Sequence, residues 1–329
     1  MTPRTRLEAV RAAMADAEID ALVLRPSPDF RFLGGRDGAF LVVTMDAAAE
    51  TADPAELVPA GARRVGVDPE MRVRELFGLA IEAELVPATS VLGPLRLAKE
   101  PQEVAAVGRA AAAADAVLGQ AGELAWFGAT ERSMALRLRM LLLETGCEEV
   151  LSARVAAGEH TASPGHRPGD RVINPGDALL VSVCGRWDGY CAEVGRVFAV
   201  AEPPEDFEAM YSVVLAAHAA ALGALGRASS AAGVAAEVAG AVTDVIDGSG
   251  YGRFAGPHAG RGIGLGHDEG PRLWPGDETA LAEGTTLCLE PAIYVPDLFG
   301  ARVADVVACT GTGPLVLSGA SHALRVLDR

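Results

Sequence analysis

Apolar positions recur with two different periods along this chain, and the changes of period mark its elements. Residues 4–17 carry them at helical spacing and predict an amphipathic helix. The runs at 19–24 and 39–44 are short, apolar and bounded by turn formers, which predicts strands. The helical period returns at 104–118 and 130–145, and the alanine run 110–114 lies inside the first of these as plain helix. Residues 175–183 and 190–198 predict two strands joined by a turn at Trp187, Asp188 and Gly189. Helical patterns follow at 204–225 and 229–248, and the last third returns to strands. This order predicts a mixed α/β (α+β) protein, with a small α/β domain at 1–94 and a larger domain at 95–329.

Composition narrows the picture without changing it. The 329 residues are half hydrophobic, enough for two cored domains. The sequence shows no uninterrupted apolar run near the ~20 residues of a membrane span, and its first residues lack the apolar centre of a signal peptide. A cytoplasmic protein with no membrane partner is the expectation. Five cysteines, with no Cys-x-x-Cys pair, argue against a disulfide framework and a structural zinc site, and point to buried thiols. A formal charge of −16 repels phosphate backbones, so no nucleic-acid partner is expected.

The candidate chemistry lies in two stretches, Gly256-Pro-His258-Ala-Gly-Arg261-Gly-Ile-Gly-Leu-Gly-His267 and Leu287-Cys-Leu-Glu290-Pro-Ala-Ile-Tyr294. The glycines miss the Gly-x-Gly-x-x-Gly spacing of a nucleotide loop and suit tight backbone packing. The wording resembles the aminopeptidase P, prolidase and creatinase family, whose fold is the pita bread. Residues 29–36 resemble that family's N-terminal segment and 94–103 the segment that opens its catalytic domain, so the resemblance spans nearly the whole chain. It implies a site in which two aspartates, one histidine and two glutamates hold two metal ions. Here those positions fall on Ser182, Glu193, Arg261, Glu290 and Ala304. A dinuclear hydrolase needs clustered carboxylates and imidazole to hold its cations and acidify a bridging water, which serine and alanine do not supply. Arg261 brings a permanent positive charge to the place of a cation, where it can pair with Glu193 and Glu290. A site without metal, and no cofactor, is the resulting expectation. An ordinary buried ion pair of the two glutamates with Arg261 or Arg302 is the structural alternative.

His166 stands one residue from the histidine that creatinase uses as general acid and base, and an imidazole suits proton transfer near neutral pH. With Glu193 and Glu290 it makes the expected catalytic group; a loop histidine without a role is the alternative. His258 and His267 show the same one-residue offset from the family's substrate-facing histidines, and Arg261, Arg302 and Tyr190 join them on the substrate side. Cys184 and Cys191 suit core better than nucleophilic work. Arg36 is placed either at a neighbouring subunit's pocket or on the surface. The functional expectation is a metal-independent, creatinase-like hydrolase or lyase acting on a C–N bond of a small amino-acid-like, guanidino or amine metabolite, working as a homodimer. Two alternatives stand beside it. One is a pseudoenzyme that binds a peptide or small ligand. The other is a metal-dependent Xaa-Pro aminopeptidase or dipeptidase with a site rebuilt from His166, His258 or His267 with the two glutamates.

Overall fold

The computed structural model describes residues 3–36, 38–231 and 233–328. The chain divides into two compact units, Met1–Ala98 and Lys99–Arg329. The first unit contains α1 (Pro3–Asp16), β1 (Ala21–Leu24), α2 (Pro28–Phe32), β2 (Phe40–Thr44), β3 (Ala48–Thr51), β4 (Arg64–Val67), α3 (Val73–Gly78), β5 (Glu84–Pro87) and α4 (Thr89–Leu97). Its sheet has the order β3-β2-β1-β4-β5, with β1, β4 and β5 parallel and β2 and β3 antiparallel. All four residues of the central strand β1 are buried, which is why that strand is a continuous apolar run.

The second unit runs α5 (Pro101–Ala121), α6 (Glu131–Glu144), β6 (Glu149–Ala157), β7 (Ala178–Trp187), β8 (Tyr190–Val200), α7 (Phe207–Ala231) and α8 (Ala235–Gly248). It continues with β9 (Gly260–Gly262), β10 (Glu269–Leu273), β11 (Thr286–Leu289), β12 (Ala292–Val295), β13 (Phe299–Arg302), β14 (Asp305–Thr310), β15 (Gly313–Val316) and β16 (Arg325–Leu327). Local chemistry sets the helix starts. Pro101 occupies the first turn of α5 beside a Glu100/Glu103 capping box, and the Thr130 hydroxyl caps α6 by accepting from the Ser133 N–H. The helix predicted over 229–248 begins only at Ala235; residues 229–231 extend α7, and residue 232 lies outside the described residues.

Two helix-backed sheets build this unit, the pita-bread arrangement. The sheet β16-β8-β7-β6 carries α5 and α6 over a core that includes Val117, Leu138, Leu142, Val181 and Val194. The sheet β10-β9-β11-β14-β15 carries α7 and α8 over a core that includes Met210, Val214, Leu225, Val238, Leu287 and Val307. By length and composition α7 is apolar enough to cross a membrane, although no uninterrupted apolar run marks it in the sequence. The interruptions at Glu208, His218 and Arg227 hid it, and its buried face belongs to the core just described. The two sheets are stitched where Gly195 and Ala304 exchange backbone hydrogen bonds of 3.0 and 3.1 Å. A Cβ on Gly195 would lie 3.2 Å from the Cβ atoms of both Ala304 and Ser182, so this approach depends on a glycine between two small residues.

Candidate functional site

Strand register brings the site together. Cys184 pairs with Glu193 and Ser182 with Gly195, which puts the Ser182 and Glu193 side chains diagonally on one face of the β7–β8 ribbon. In the other sheet Arg261 pairs with Cys288, so Glu290, two residues beyond Cys288, shares the face of Arg261. The Glu290 N–H donates to the Ala259 carbonyl at 2.6 Å and fixes that residue just past the end of β11. Arg302 closes β13 opposite Ala292.

The four charged side chains form a closed, buried quartet. Arg302 donates to Glu193 Oε1 at 2.6 Å, to Glu290 Oε2 at 2.5 Å and to Ser182 Oγ at 2.9 Å. Arg261 donates to Glu193 Oε2 at 2.7 Å and contacts Glu290 Oε1. His267 completes the arrangement, its Nε2 2.9 Å from Glu193 Oε2 while its backbone carbonyl accepts from Arg261 Nε at 3.0 Å. The quartet is nearly sealed, whereas the His267 side chain is 40% exposed and connects it to solvent. Burial pushes the Glu193 carboxyl upward, but Arg302, the His267 hydrogen bond and Arg261 outweigh it and hold that carboxyl well below the ordinary range. Burial pulls the Arg302 guanidinium down, and the Glu193 carboxylate leads the contacts that more than restore it.

The donor set here does not fit the dinuclear centre that the family resemblance implies. Each carboxylate oxygen of Glu193 and Glu290 is taken by a guanidinium, and the remaining positions offer one hydroxyl and a methyl group. A cation at either glutamate would meet two fixed positive charges at hydrogen-bonding distance, which opposes metal binding at this place.

The other expected site residues lie elsewhere. The His166 Nε2 sits 2.8 Å from Glu131 Oε2 at the start of α6, a partner the sequence had not suggested. His258 is half-buried beside a cavity of about 190 Å³ lined by Val242, Ile246 and Pro275. Burial, reinforced by Arg261, Arg272 and Arg302, lowers its pKa. The Tyr190 hydroxyl donates to Glu103. Cys184 is buried with its thiol pushed well up, first by burial and then by Glu193. Arg36 is exposed in the first unit. Of the three imidazoles, His267 alone bonds a quartet glutamate among the described residues. One nearby residue went unnoticed in the sequence, Arg154, which with Tyr294 lies within electrostatic range of Arg302 and Glu193. No motif flags Arg154; it stands opposite Ser182 only because of the β6–β7 register.

The sequence profile of metallopeptidase family M24 matches residues 105–311. "Probable dipeptidase PepE" of Mycobacterium tuberculosis is 30% identical, over 98% of this chain and 96% of its own length. A Pyrococcus horikoshii Xaa-Pro dipeptidase is 25% identical over 90% of this chain and 91% of its own. The crystal structure of dipeptidase PepE from Mycobacterium ulcerans superposes with a TM-score of 0.90 at 29% identity, over 99% of this chain and 98% of that one. These relatives correct the expectation of a metal-independent, creatinase-like hydrolase: the similar proteins are dipeptidases of a metallopeptidase family. The expectation had weighed five ligand positions above the remainder of the chain. The profile match over most of the second unit, together with near-complete coverage by the dipeptidase relatives, places this chain in metallopeptidase family M24.

Proposed function

We propose that this protein is a dipeptidase-class hydrolase of short peptides, Xaa-Pro dipeptides among them, with its substrate bound over the Glu193–Arg261–Glu290–Arg302 quartet. The likeness to PepE dipeptidases, at 30% identity across 98% of the chain, carries this reading. The chemistry of the quartet supports it. Two carboxylates and two guanidiniums make a floor with no net charge, on which Glu193 stays ionised at neutral pH. His267 lies between that floor and solvent, within hydrogen-bonding distance of Glu193, where an imidazole can exchange a proton with a bound amide. Arg154 supplies a further positive charge beside the quartet for a peptide's terminal carboxylate. Small zwitterions suit such a surface better than long chains do.

The test is release of free amino acids from a panel of dipeptides, followed by mass spectrometry. It is run on chelated protein and on protein supplied with Mn²⁺, Co²⁺ or Zn²⁺, with Glu290→Gln alongside. Turnover that falls in Glu290→Gln supports the reading. No turnover of any dipeptide under any metal condition, or turnover untouched in Glu290→Gln, removes it.

A further inference from the structure

We propose that Glu131, His160 and His166 form a mononuclear site for a divalent ion of the zinc class, separate from the arginine-filled quartet. Glu131 opens α6, His160 lies in the turn Gly158–Ala162 after β6, and His166 follows in the next loop. His160 Nδ1 is 3.0 Å from Glu131 Oε1 and His166 Nε2 is 2.8 Å from Glu131 Oε2. The candidate ligand atoms all lie within 4.8 Å of one another, and the imidazole centroids are 4.3 Å apart. Two imidazoles and one carboxylate are the donor set of three-ligand zinc sites, which leave a fourth position for water.

Three features favour an ion here. The Glu131 carboxylate is aimed by groups that are not candidate ligands: the Ala157 N–H donates to Oε1 at 2.9 Å and the Gly169 N–H to Oε2 at 3.1 Å. Those bonds persist if the imidazoles turn from the carboxylate to an ion, and they then serve as the outer partners that orient a metal-bound carboxylate. Charge separates this cluster from its competitors. Among the described residues the Glu131 carboxylate is contacted by imidazoles and amides, whereas in the comparable His218–Asp305–His322 cluster Arg196 already sits 2.6 Å from Asp305. A fixed guanidinium occupies the place of a cation there, as Arg261 and Arg302 do at Glu193 and Glu290. Access is the third feature. Glu131 is fully buried, but the His160 side chain is 37% and the His166 side chain 13% exposed, so an ion arrives from the solvent side and keeps a water there.

The competing account is an imidazole pair that merely satisfies a buried carboxylate, and binding measurements separate the two. Full-length protein stripped with a chelator is titrated with Zn²⁺ by calorimetry and with Co²⁺ by visible absorption. The expected result is one ion per chain with the absorption of a four-coordinate cobalt site. His160→Ala and His166→Ala should each weaken binding by more than the roughly 10–100-fold typical of losing an outer partner. His322→Ala should bind as the wild type does. Absence of stoichiometric binding, binding that survives both ligand substitutions, or binding lost in His322→Ala would overturn the proposal. Melting curves of the metal-free variants report folding; if His166→Ala fails to fold, the more exposed His160 carries the test. No peptide enters these readouts, so the site stands or falls independently of the proposed peptidase activity.

Discussion

Replacing Arg302 by methionine removes one corner of the quartet while keeping a long apolar stem in its place. The guanidinium has three partners, Glu290 Oε2 at 2.5 Å, Glu193 Oε1 at 2.6 Å and Ser182 Oγ at 2.9 Å, and all of them are buried. Its loss leaves two buried carboxylates sharing the Arg261 guanidinium, with His267 still beside Glu193. Breaking a buried ion pair by removing one partner costs about 3–5 kcal/mol, because the carboxylates left behind lose a counterion that water does not replace. For a unit of this size each kcal/mol lowers the melting temperature by about 2–4 °C, so Arg302→Met should melt about 6–20 °C below the wild type. Circular dichroism against temperature and urea measures this, with Glu193→Gln and the double variant closing a cycle. The double variant should be more stable than the two single losses predict by about 1–3 kcal/mol, since Glu193→Gln removes a charge that Arg302→Met deprives of one of its two guanidinium partners. A loss within about 0.5 kcal/mol, the range of surface substitutions, or strict additivity in the cycle, would refute the reasoning.

Two further predictions concern acid stability and backbone packing. Glu193 and Asp305 are both held below the ordinary carboxyl range, against the upward push of burial: Glu193 by Arg302, His267 and Arg261, and Asp305 by His218, His322 and Arg196. Because their folded values lie below the unfolded ones, the stabilisation is complete above about pH 4 and drains away as pH falls through the folded values. Melting temperature should therefore fall on the acid side of about pH 4, with a shallower slope in Glu193→Gln; equal slopes would exclude Glu193 as a source. In β9, a Cβ on Gly262 would lie 2.0 Å from the Gly270 carbonyl oxygen, a backbone atom that has no flexible end to give. Gly262→Ala should cost about 3 kcal/mol, the upper end for overpacking, and an unchanged melt would show that β9 and β10 separate freely.

Much of the fold was legible in the sequence because periods of two and 3.6 are local properties. The strands at 175–183 and 190–198, the turn at Asp188-Gly189, and the helices at 104–118 and 130–145 all appear within a few residues of their predicted bounds. Residue types at single positions were equally legible. Serine, arginine and alanine stand at 182, 261 and 304 whatever the chain does around them, and from them followed the prospect of Arg261 pairing with Glu193 and Glu290. The family's activity class followed less well, because likeness over 98% of the chain is more informative than a handful of changed ligands.

Only the tertiary structure decided which charges meet. Glu193 and Arg302 are 109 residues apart, and Glu131 and His166 are 35 apart. Such partners depend on strand register, on how two sheets approach at Gly195 and Ala304, and on the path of a loop, none of which has a period in the sequence. A shift of one residue in a strand turns a side chain to the opposite face. In the loop that holds His166, the path of the backbone brings the imidazole to Glu131, while the register of β13 brings Arg302 between the two glutamates. The sequence supplied the charges, and the apposition of distant strands chose their partners.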